Sequence, residues 1–260
     1  MTAAAPPTIE QLLRHELDGE TRPVAFILAG HNGSGKSTLW YERLADTLQI
    51  PLVNADRLTM SILPEPRGNP PRIPAWAKTL RDQNTTWQSL SQSGVALFRE
   101  LVMERQQAFG FETVFSHWKE QPDGTVESKV DDIRSIQRRG YAVVLVFVGL
   151  TTLSLSILRV QNRKRTGGHD VPTEKLVERF PRTQKAIGVA SRVADLTLMI
   201  DNSLDERRAF QFVRAQRRRT VLFDARDPGV QMDGEVRAAA SPWLESVVGP
   251  FRARRSTPTR

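Results

Sequence analysis

The 260-residue sequence contains no cysteine. Disulfide bonds, thiolate catalysis and cysteine-ligated zinc sites are therefore excluded by counting alone. Long apolar runs are also absent, because the longest one, 142–148 and on through Leu150, is far shorter than the roughly 20 residues of a membrane-spanning helix. The first residues lack the apolar core of a signal peptide. We therefore expect a soluble, cytoplasmic protein with no membrane partner.

Negative charge is in deficit, and the formal net charge is +8. A positive excess favours anionic partners, which include phosphorylated metabolites, nucleic acid and acidic membrane surfaces, and charge alone does not choose among them. The chain is 39% hydrophobic, which is enough to fill a substantial core. We expect an N-terminal lead and short helix over 1–20, one catalytic domain over 21–250, and a disordered basic tail over 251–260.

Apolar runs of strand length alternate with helical patterns along most of the chain. This alternation predicts an α/β fold with a doubly wound, mainly parallel sheet and helices on both faces. The predicted strands are 24–29, 52–53, 111–115, 142–148 and 196–200, and the predicted helices are 9–17, 36–48, 86–107, 126–139 and 153–163. A hairpin at 209–216 and 220–225 and a helix are expected to follow, while the proline-rich segment 64–74 predicts a loop or flap beside the site.

One glycine-rich segment carries a specific chemical signal. Residues 30–38, Gly-His-Asn-Gly-Ser-Gly-Lys-Ser-Thr, satisfy the phosphate-loop pattern between a predicted buried strand and a helix start. In such a loop the glycines let backbone amides approach phosphate, the lysine reaches the β and γ oxygens, and the serine hydroxyl ligates magnesium. We therefore expect ATP and Mg²⁺ as cofactors, with Ser37 as the metal ligand. The predicted nucleotide-binding residues are Gly30, Asn32, Gly33, Ser34, Gly35, Lys36, Ser37 and Thr38.

The type of phosphate-loop protein is narrowed by what surrounds the loop. No Asn/Thr-Lys-x-Asp element is present, which argues against a GTPase. A motor-type ATPase stays open, because the strand 196–200 ends at Asp201. A small-molecule kinase instead needs a carboxylate that accepts the proton of the acceptor hydroxyl. Asp56 follows the strand segment 51–54 and Glu112 lies within an apolar strand, although a helix cap and a solvent-facing position are the plainer interpretations.

A kinase also needs mobile cations that neutralise charge during transfer. Arg159, Arg163, Lys164 and Arg165 directly precede a Gly-Gly pair at 167–168. This arrangement is typical of a lid that closes over phosphates, and we place the lid at about 159–182. The alternative is a solvated basic helix end, which the helix dipole favours.

Taken in order, these segments resemble the zeta-toxin family of P-loop kinases over about 25–203. The resemblance rests on the phosphate loop, Asn54-Ala55-Asp56, Phe111-Glu112-Thr113, Gly140-Tyr141, Arg159-Val160, Gly167-Gly168-His169-Asp170-Val171-Pro172, Arg179-Phe180-Pro181-Arg182 and Asp201-Asn202-Ser203. The family implies a P-loop kinase-like fold that uses ATP and magnesium. Its characterised toxins phosphorylate the sugar 3′-hydroxyl of UDP-N-acetylglucosamine. A nucleotide sugar or similar small molecule as acceptor, and a protein antitoxin as partner, are therefore implied as well.

The resemblance also implies roles for individual residues. Asp56 is similar to the family's general base, and Glu112 to the acidic residue that holds the acceptor. The implied catalytic residues are Asp56, Lys36, Arg159, Arg163 and Arg165, and the implied substrate-binding residues are Asp56, Glu112, Thr113, His169 and Arg179.

A second hypothesis from another class stays open. The chain could be an ATP-dependent nucleic-acid-binding protein that uses Arg214, the arginines 217–219 and the basic tail as a phosphate-tracking surface. That region lacks the interleaved aromatic residues typical of single-strand binders, so nucleic acid is not the expected partner.

Overall fold

The computed structural model describes residues 6–68, 72–165 and 171–251, without the side chains of Asp56 and Gln88. Its helices are α1 (Ile9–Glu16), α2 (Lys36–Leu39), α3 (Ala45–Leu48), α4 (Ala55–Ser61), α5 (Ala75–Gln83), α6 (Thr85–Glu104), α7 (Val130–Arg138), α8 (Leu153–Arg165), α9 (Thr173–Ala190) and α10 (Gly234–Val248). Its strands are β1 (Val24–Gly30), β2 (Leu52–Val53), β3 (Phe109–Thr113), β4 (Trp118–Glu120), β5 (Val126–Ser128), β6 (Ala142–Gly149), β7 (Leu196–Asp201), β8 (Gln211–Arg217) and β9 (Thr220–Asp224).

Seven strands form one sheet in the order β2-β3-β1-β6-β7-β8-β9. The first five of these strands are parallel, and β8 and β9 extend the sheet as the predicted antiparallel hairpin. The predicted α/β fold with a mainly parallel sheet is therefore confirmed. Because β1 lies between β3 and β6, the loop that follows β1 is flanked by the carboxyl ends of two neighbouring strands, where α/β proteins bind ligands.

The sheet is buried on both faces, as its continuous apolar strands predict. In β6, Val143, Leu145 and Phe147 face one core and Val144, Val146 and Val148 face the other. The first core is closed mainly by α7, α9 and α10, and the second by α1 and the helical segment after the phosphate loop. Helix α1 is therefore packed on the sheet through Ile9, Leu12 and Leu13.

The predicted helix at 126–139 was wrong in its first turn. Residues 126–128 form β5, which pairs with β4 in a small antiparallel hairpin, and the helix starts only at Val130. Gly124 adopts a left-handed φ of 80° in the turn that reverses the chain, a conformation that favours strand pairing there over helix.

Smaller differences lie at the ends of other elements. The strand predicted at 111–115 begins at Phe109 and ends at Thr113, because the amide of Phe115 donates to the Thr113 hydroxyl at 3.1 Å and the chain turns. The helix predicted at 36–48 contains a π-helical turn at Trp40–Leu44. In the loop predicted at 64–74, the described residues include a single bridge between Arg67 and Arg72.

The basic tail lies outside the described residues, apart from Phe251. Among the described helices, none has both the length and the apolar character needed to cross a bilayer.

Candidate functional site

The phosphate loop joins the carboxyl end of β1 to α2 and has the backbone shape its glycines predict. Gly33 and Gly35 adopt φ values of 71° and 88°, which are left-handed conformations that favour glycine. A Cβ atom on Gly35 would lie 2.6 Å from Nδ2 of Asn202, and one on Gly33 would lie 3.0 Å from Cβ of Arg159. The loop therefore has no room for a side chain at these two points, which is typical of a loop whose backbone binds an anion.

Lys36 lies at the start of α2 with only 7% of its side chain exposed. Its Nζ atom donates to the carbonyl oxygens of Gly30 at 3.1 Å and His31 at 3.0 Å. The ammonium group is thus held across the first turn of the loop, at the start of α2. A fixed cation together with backbone amides fits the β and γ oxygens of a nucleotide.

Glu112 is brought to the phosphate loop by the strand order. Its Oε2 atom accepts from Oγ of Ser37 at 2.8 Å and from Nδ2 of Asn54 at 2.6 Å, and its Oε1 atom lies 3.8 Å from Nζ of Lys36. The carboxylate within this apolar strand is therefore neither unpaired nor solvent-facing. Because the Ser37 hydroxyl donates its hydrogen bond to Glu112, the lone pairs of its oxygen point away from that bond and can bind a cation. Proteins usually bind Mg²⁺ through one or two oxygen ligands of their own together with substrate phosphates, and hydrogen-bonded neighbours orient those ligands.

A cavity of about 660 Å³ opens beside this cluster. It shares Asn32 and Ser37 with the phosphate loop, and Glu112 lies in its wall. Its lining is rich in cationic side chains, namely Arg57, Arg81, Arg163, Lys175 and Arg179. Some of this charge is already compensated, because Arg81 binds Asp82 through two hydrogen bonds of 2.7 and 3.0 Å. The cavity retains an excess of positive charge directly beside the proposed phosphate site.

Asp56 occupies the second position of α4, between the cavity-lining residues Ala55 and Arg57. Its side chain lies outside the described part of the structure. Asn54 rather than Asp56 caps this helix, since its Oδ1 atom accepts from the amide of Arg57 at 3.1 Å. Asn54 thus joins the start of α4 to Glu112. Sequence reasoning did not predict this role, and the signal that could have indicated it was a polar residue at the end of a strand.

The predicted lid residues are not all at the same place. Arg163 lines the cavity, whereas Arg165 is exposed and does not. Arg159 is half-buried against Gly33, with one guanidinium nitrogen 3.5 Å from the carbonyl of Leu204. Burial lowers the pKa of the Arg159 guanidinium, and the nearby carboxylate of Asp201 opposes that shift.

The other residues predicted to bind substrate or nucleotide differ in their positions and contacts. Arg179 lines the cavity, and within the described ranges it makes no ion pair. The Thr113 hydroxyl is used by the turn after β3, and Thr38 is exposed in the first turn of α2. His169 and the Gly-Gly pair lie outside the described residues.

The carboxylate of Asp201, considered for a motor-type ATPase, binds other groups of the protein. It accepts hydrogen bonds from the amide and hydroxyl of Ser203 and from Nε1 of Trp243, at 3.0, 2.8 and 2.7 Å. Burial raises the pKa of the Asp201 carboxyl, against the effect of these hydrogen bonds. The carboxylate that contacts the serine of the phosphate loop is Glu112, on the strand adjacent to β1.

The arginines considered for nucleic-acid binding are largely engaged within the protein. Three of them form ion pairs, namely Arg214 with Asp224, Arg217 with Glu16 and Arg218 with Asp195. The chain thus gives no continuous row of unpaired cations over these three positions.

Comparisons with known proteins agree with the fold and with the resemblance found in the sequence. The family model described as zeta toxin matches residues 10–225. No curated protein matches the chain by sequence. A solved structure of the PezAT chromosomal toxin–antitoxin system of Streptococcus pneumoniae is similar with a TM-score of 0.50 and 11% identity, over 96% of this chain and 92% of that one. The AvrRxo1-ORF1:AvrRxo1-ORF2 complex, solved with ATP, is similar with a TM-score of 0.54 and 14% identity, over 94% of this chain and 69% of that one.

Proposed function

Because the chain belongs to the zeta toxin family of P-loop phosphotransferases, we propose that it transfers the γ-phosphoryl group of ATP, with magnesium, to a hydroxyl group of a nucleotide sugar. UDP-N-acetylglucosamine or a related metabolite is the proposed acceptor. The single observation that carries this proposal is the contact of Glu112 with Ser37 in the lining of a cation-rich cavity. In this proposal the Glu112 carboxylate connects the nucleotide site, through Ser37, to the acceptor site in the cavity.

The proposed roles follow from the position of each group. Lys36 binds the β and γ oxygens, and Ser37, oriented by Glu112, would hold Mg²⁺. The metal supplies charge neutralisation on the phosphates. Arg163, in the cavity wall, would stabilise the charge that develops on the transferring group. Arg159, beside Gly33, would contact the nucleotide phosphates.

Proton transfer is assigned to Asp56. The acceptor oxygen forms a bond to the γ-phosphorus while the bond between that phosphorus and the bridging oxygen breaks, and the bridging electron pair leaves on ADP. The hydroxyl proton passes to the carboxylate of Asp56. The residues on either side of Asp56, Ala55 and Arg57, line the cavity. Asp56 is thus proposed as general base.

The charge of the cavity supports a polyanionic acceptor. Arg57, Lys175 and Arg179 lie in its wall in addition to the residues proposed for catalysis. Guanidinium groups bind diphosphates through paired hydrogen bonds, which a neutral sugar or nucleoside would leave unused. A nucleoside diphosphate sugar presents both the diphosphate and a free hydroxyl.

A protein antitoxin is proposed as a partner, on the family and on the toxin–antitoxin system among its structural neighbours. In this proposal, expression of the protein in a bacterium without its antitoxin arrests growth. The Asp56→Asn variant is the matched control, because it changes one atom of the proposed base and should abolish arrest.

The proposed reaction can be tested directly by mass spectrometry. The purified protein is incubated with ATP, Mg²⁺ and a panel of nucleotide sugars, nucleosides and amino acids, with Lys36→Ala as the control for contaminating kinases. We expect one phosphoryl group to be gained by UDP-N-acetylglucosamine or another nucleotide sugar. Phosphorylation of only a neutral member of the panel would refute the proposed acceptor class, and no transfer to any member would count against the kinase proposal itself.

A further inference from the structure

The second residue of the phosphate loop, His31, has a buried ring that packs between other aromatic rings. Only 2% of the residue is exposed, and its ring stacks on Phe180 of α9 with centroids 3.8 Å apart and planes 13° from parallel. The edge of a second ring, Phe147 of β6, packs against it at 5.8 Å. The loop is therefore in direct contact with α9, which also carries the cavity residue Arg179.

His31 is not built as a proton donor or acceptor. Neither ring nitrogen has a hydrogen-bond partner within the described ranges. Burial and, to a smaller extent, the ammonium charge of Lys36 together lower the pKa of the imidazole to about 3, so the ring is neutral at physiological pH. What the residue contributes at this place is its flat surface.

Helix α9 depends on tertiary contacts near this stack. Pro181 lies inside the helix and has no amide hydrogen, so the carbonyl of Val177 loses its helical partner. One turn after the stack, the buried Thr183 hydroxyl donates to the carbonyl of Val114 at 3.1 Å, just beyond the strand that carries Glu112. The interrupted part of α9 is thus attached at two points, to the phosphate loop through Phe180 and to the end of β3 through Thr183.

We infer that His31 and Phe180 form a positioning pair that fixes Arg179 relative to the phosphate loop. This inference rests on the proposed function, because it assigns to Arg179 a contact with the acceptor or the transferring group. Arg179 directly precedes Phe180 in α9. The distance of Arg179 from the phosphate loop therefore depends on where the Phe180 ring packs against His31. Loss of the stack therefore displaces Arg179 while leaving Lys36 and Ser37 in place.

The coupling is tested first in the ligand-free protein by hydrogen exchange. His31→Ala should increase exchange in the part of α9 around Phe180, whereas His31→Phe, which keeps an aromatic plate, should leave it near the wild-type rate. Phe180→Leu, at a half-buried position, removes the ring from the other side with little risk to folding, and should reproduce the effect of His31→Ala. Unchanged exchange in α9 in both His31→Ala and Phe180→Leu would overturn the inference, whatever reaction the protein catalyses.

The positioning role is tested by a double-mutant cycle on phosphoryl transfer. His31→Ala should lower kcat by about 10- to 100-fold, as small misplacements of a binding group do. It should change the KM for ATP by no more than about threefold, since the phosphate contacts are retained. His31→Phe should restore kcat, and His31→Ala combined with Arg179→Ala should be no slower than Arg179→Ala alone.

These outcomes separate the two proposals. Additive losses in the double variant would overturn positioning through Arg179. A wild-type protein with no transfer activity, but with the expected exchange changes in α9, would overturn the proposed function and support the coupling of the loop to the helix.

Discussion

The buried imidazole of His31 predicts a specific dependence of stability on pH. The perturbation is His31→Phe, which keeps the aromatic contacts with Phe180 and Phe147 and removes the titrating group. In the folded protein the imidazole pKa is lowered from 6.5 to about 3 by burial and then by the charge of Lys36. A base with a depressed pKa in the folded state contributes stability above its unfolded pKa, and this contribution is lost as pH falls toward the folded pKa.

The magnitude follows from the two pKa values. Between pH 6.5 and pH 3 the unfolded chain binds a proton at His31 that the folded protein does not. The free energy of unfolding of the wild type should therefore fall, relative to His31→Phe, by about 2 kcal/mol between pH 7.5 and pH 5. The full difference approaches about 5 kcal/mol at pH values below 3.

Urea unfolding of both proteins at pH 7.5, 6 and 5 measures this difference. With an m-value of about 2.5 kcal/mol/M, the midpoint of the wild type should move about 0.8 M further than that of His31→Phe. Carboxylates titrate in both proteins, so their contribution cancels in the comparison. Parallel midpoints across the pH range would refute the reasoning, because they would mean that His31 binds its proton equally well in the folded protein.

Further substitutions test the individual groups of the site. Lys36→Ala should abolish both ATP binding in calorimetry and turnover, and tight binding of ATP by this variant would contradict its assignment. Asp56→Asn should bind ATP normally and transfer phosphate about 10²- to 10⁴-fold more slowly, whereas a parallel loss of binding would indicate a structural or metal-binding role. Glu112→Gln should raise the Mg²⁺ concentration for half-maximal activity about 10-fold if Glu112 orients Ser37, while an increase confined to the KM of the acceptor would assign it to acceptor binding alone. Arg163→Ala should lower kcat more than ATP affinity, and Arg165→Ala is its matched control with little effect. No loss in Arg163→Ala, or equal losses of kcat and ATP affinity, would support a solvated basic helix end.

Local pattern was enough to predict the backbone shape of the phosphate loop and the class of fold. The phosphate loop is specified by residues close together in the chain, because the left-handed turns at Gly33 and Gly35, where a Cβ atom would also meet close neighbours, favour glycine, and the lysine must follow them directly. The alternation of apolar strands and helices likewise specified a parallel sheet covered on both faces, since strands buried on both sides have no polar face. At Val126 the same approach failed, because three residues are too few to distinguish a helical period from a strand period, and the cross-strand pairing with β4 decides the outcome.

The partners of the site residues were decided by the tertiary structure alone. Glu112 lies 75 residues from Ser37 and 58 from Asn54 in the chain, and they meet because β3 is inserted between β2 and β1. Sequence established that a carboxylate lay in an apolar strand, but strand order gave it a serine of the phosphate loop to bind. In the same way, His31 stood within the recognised loop without a visible role, and only the packing of α9 against that loop gave its ring a surface to stack on. Residue types and short spacings are local properties of the chain, whereas contacts between distant residues depend on how strands and helices are ordered in space.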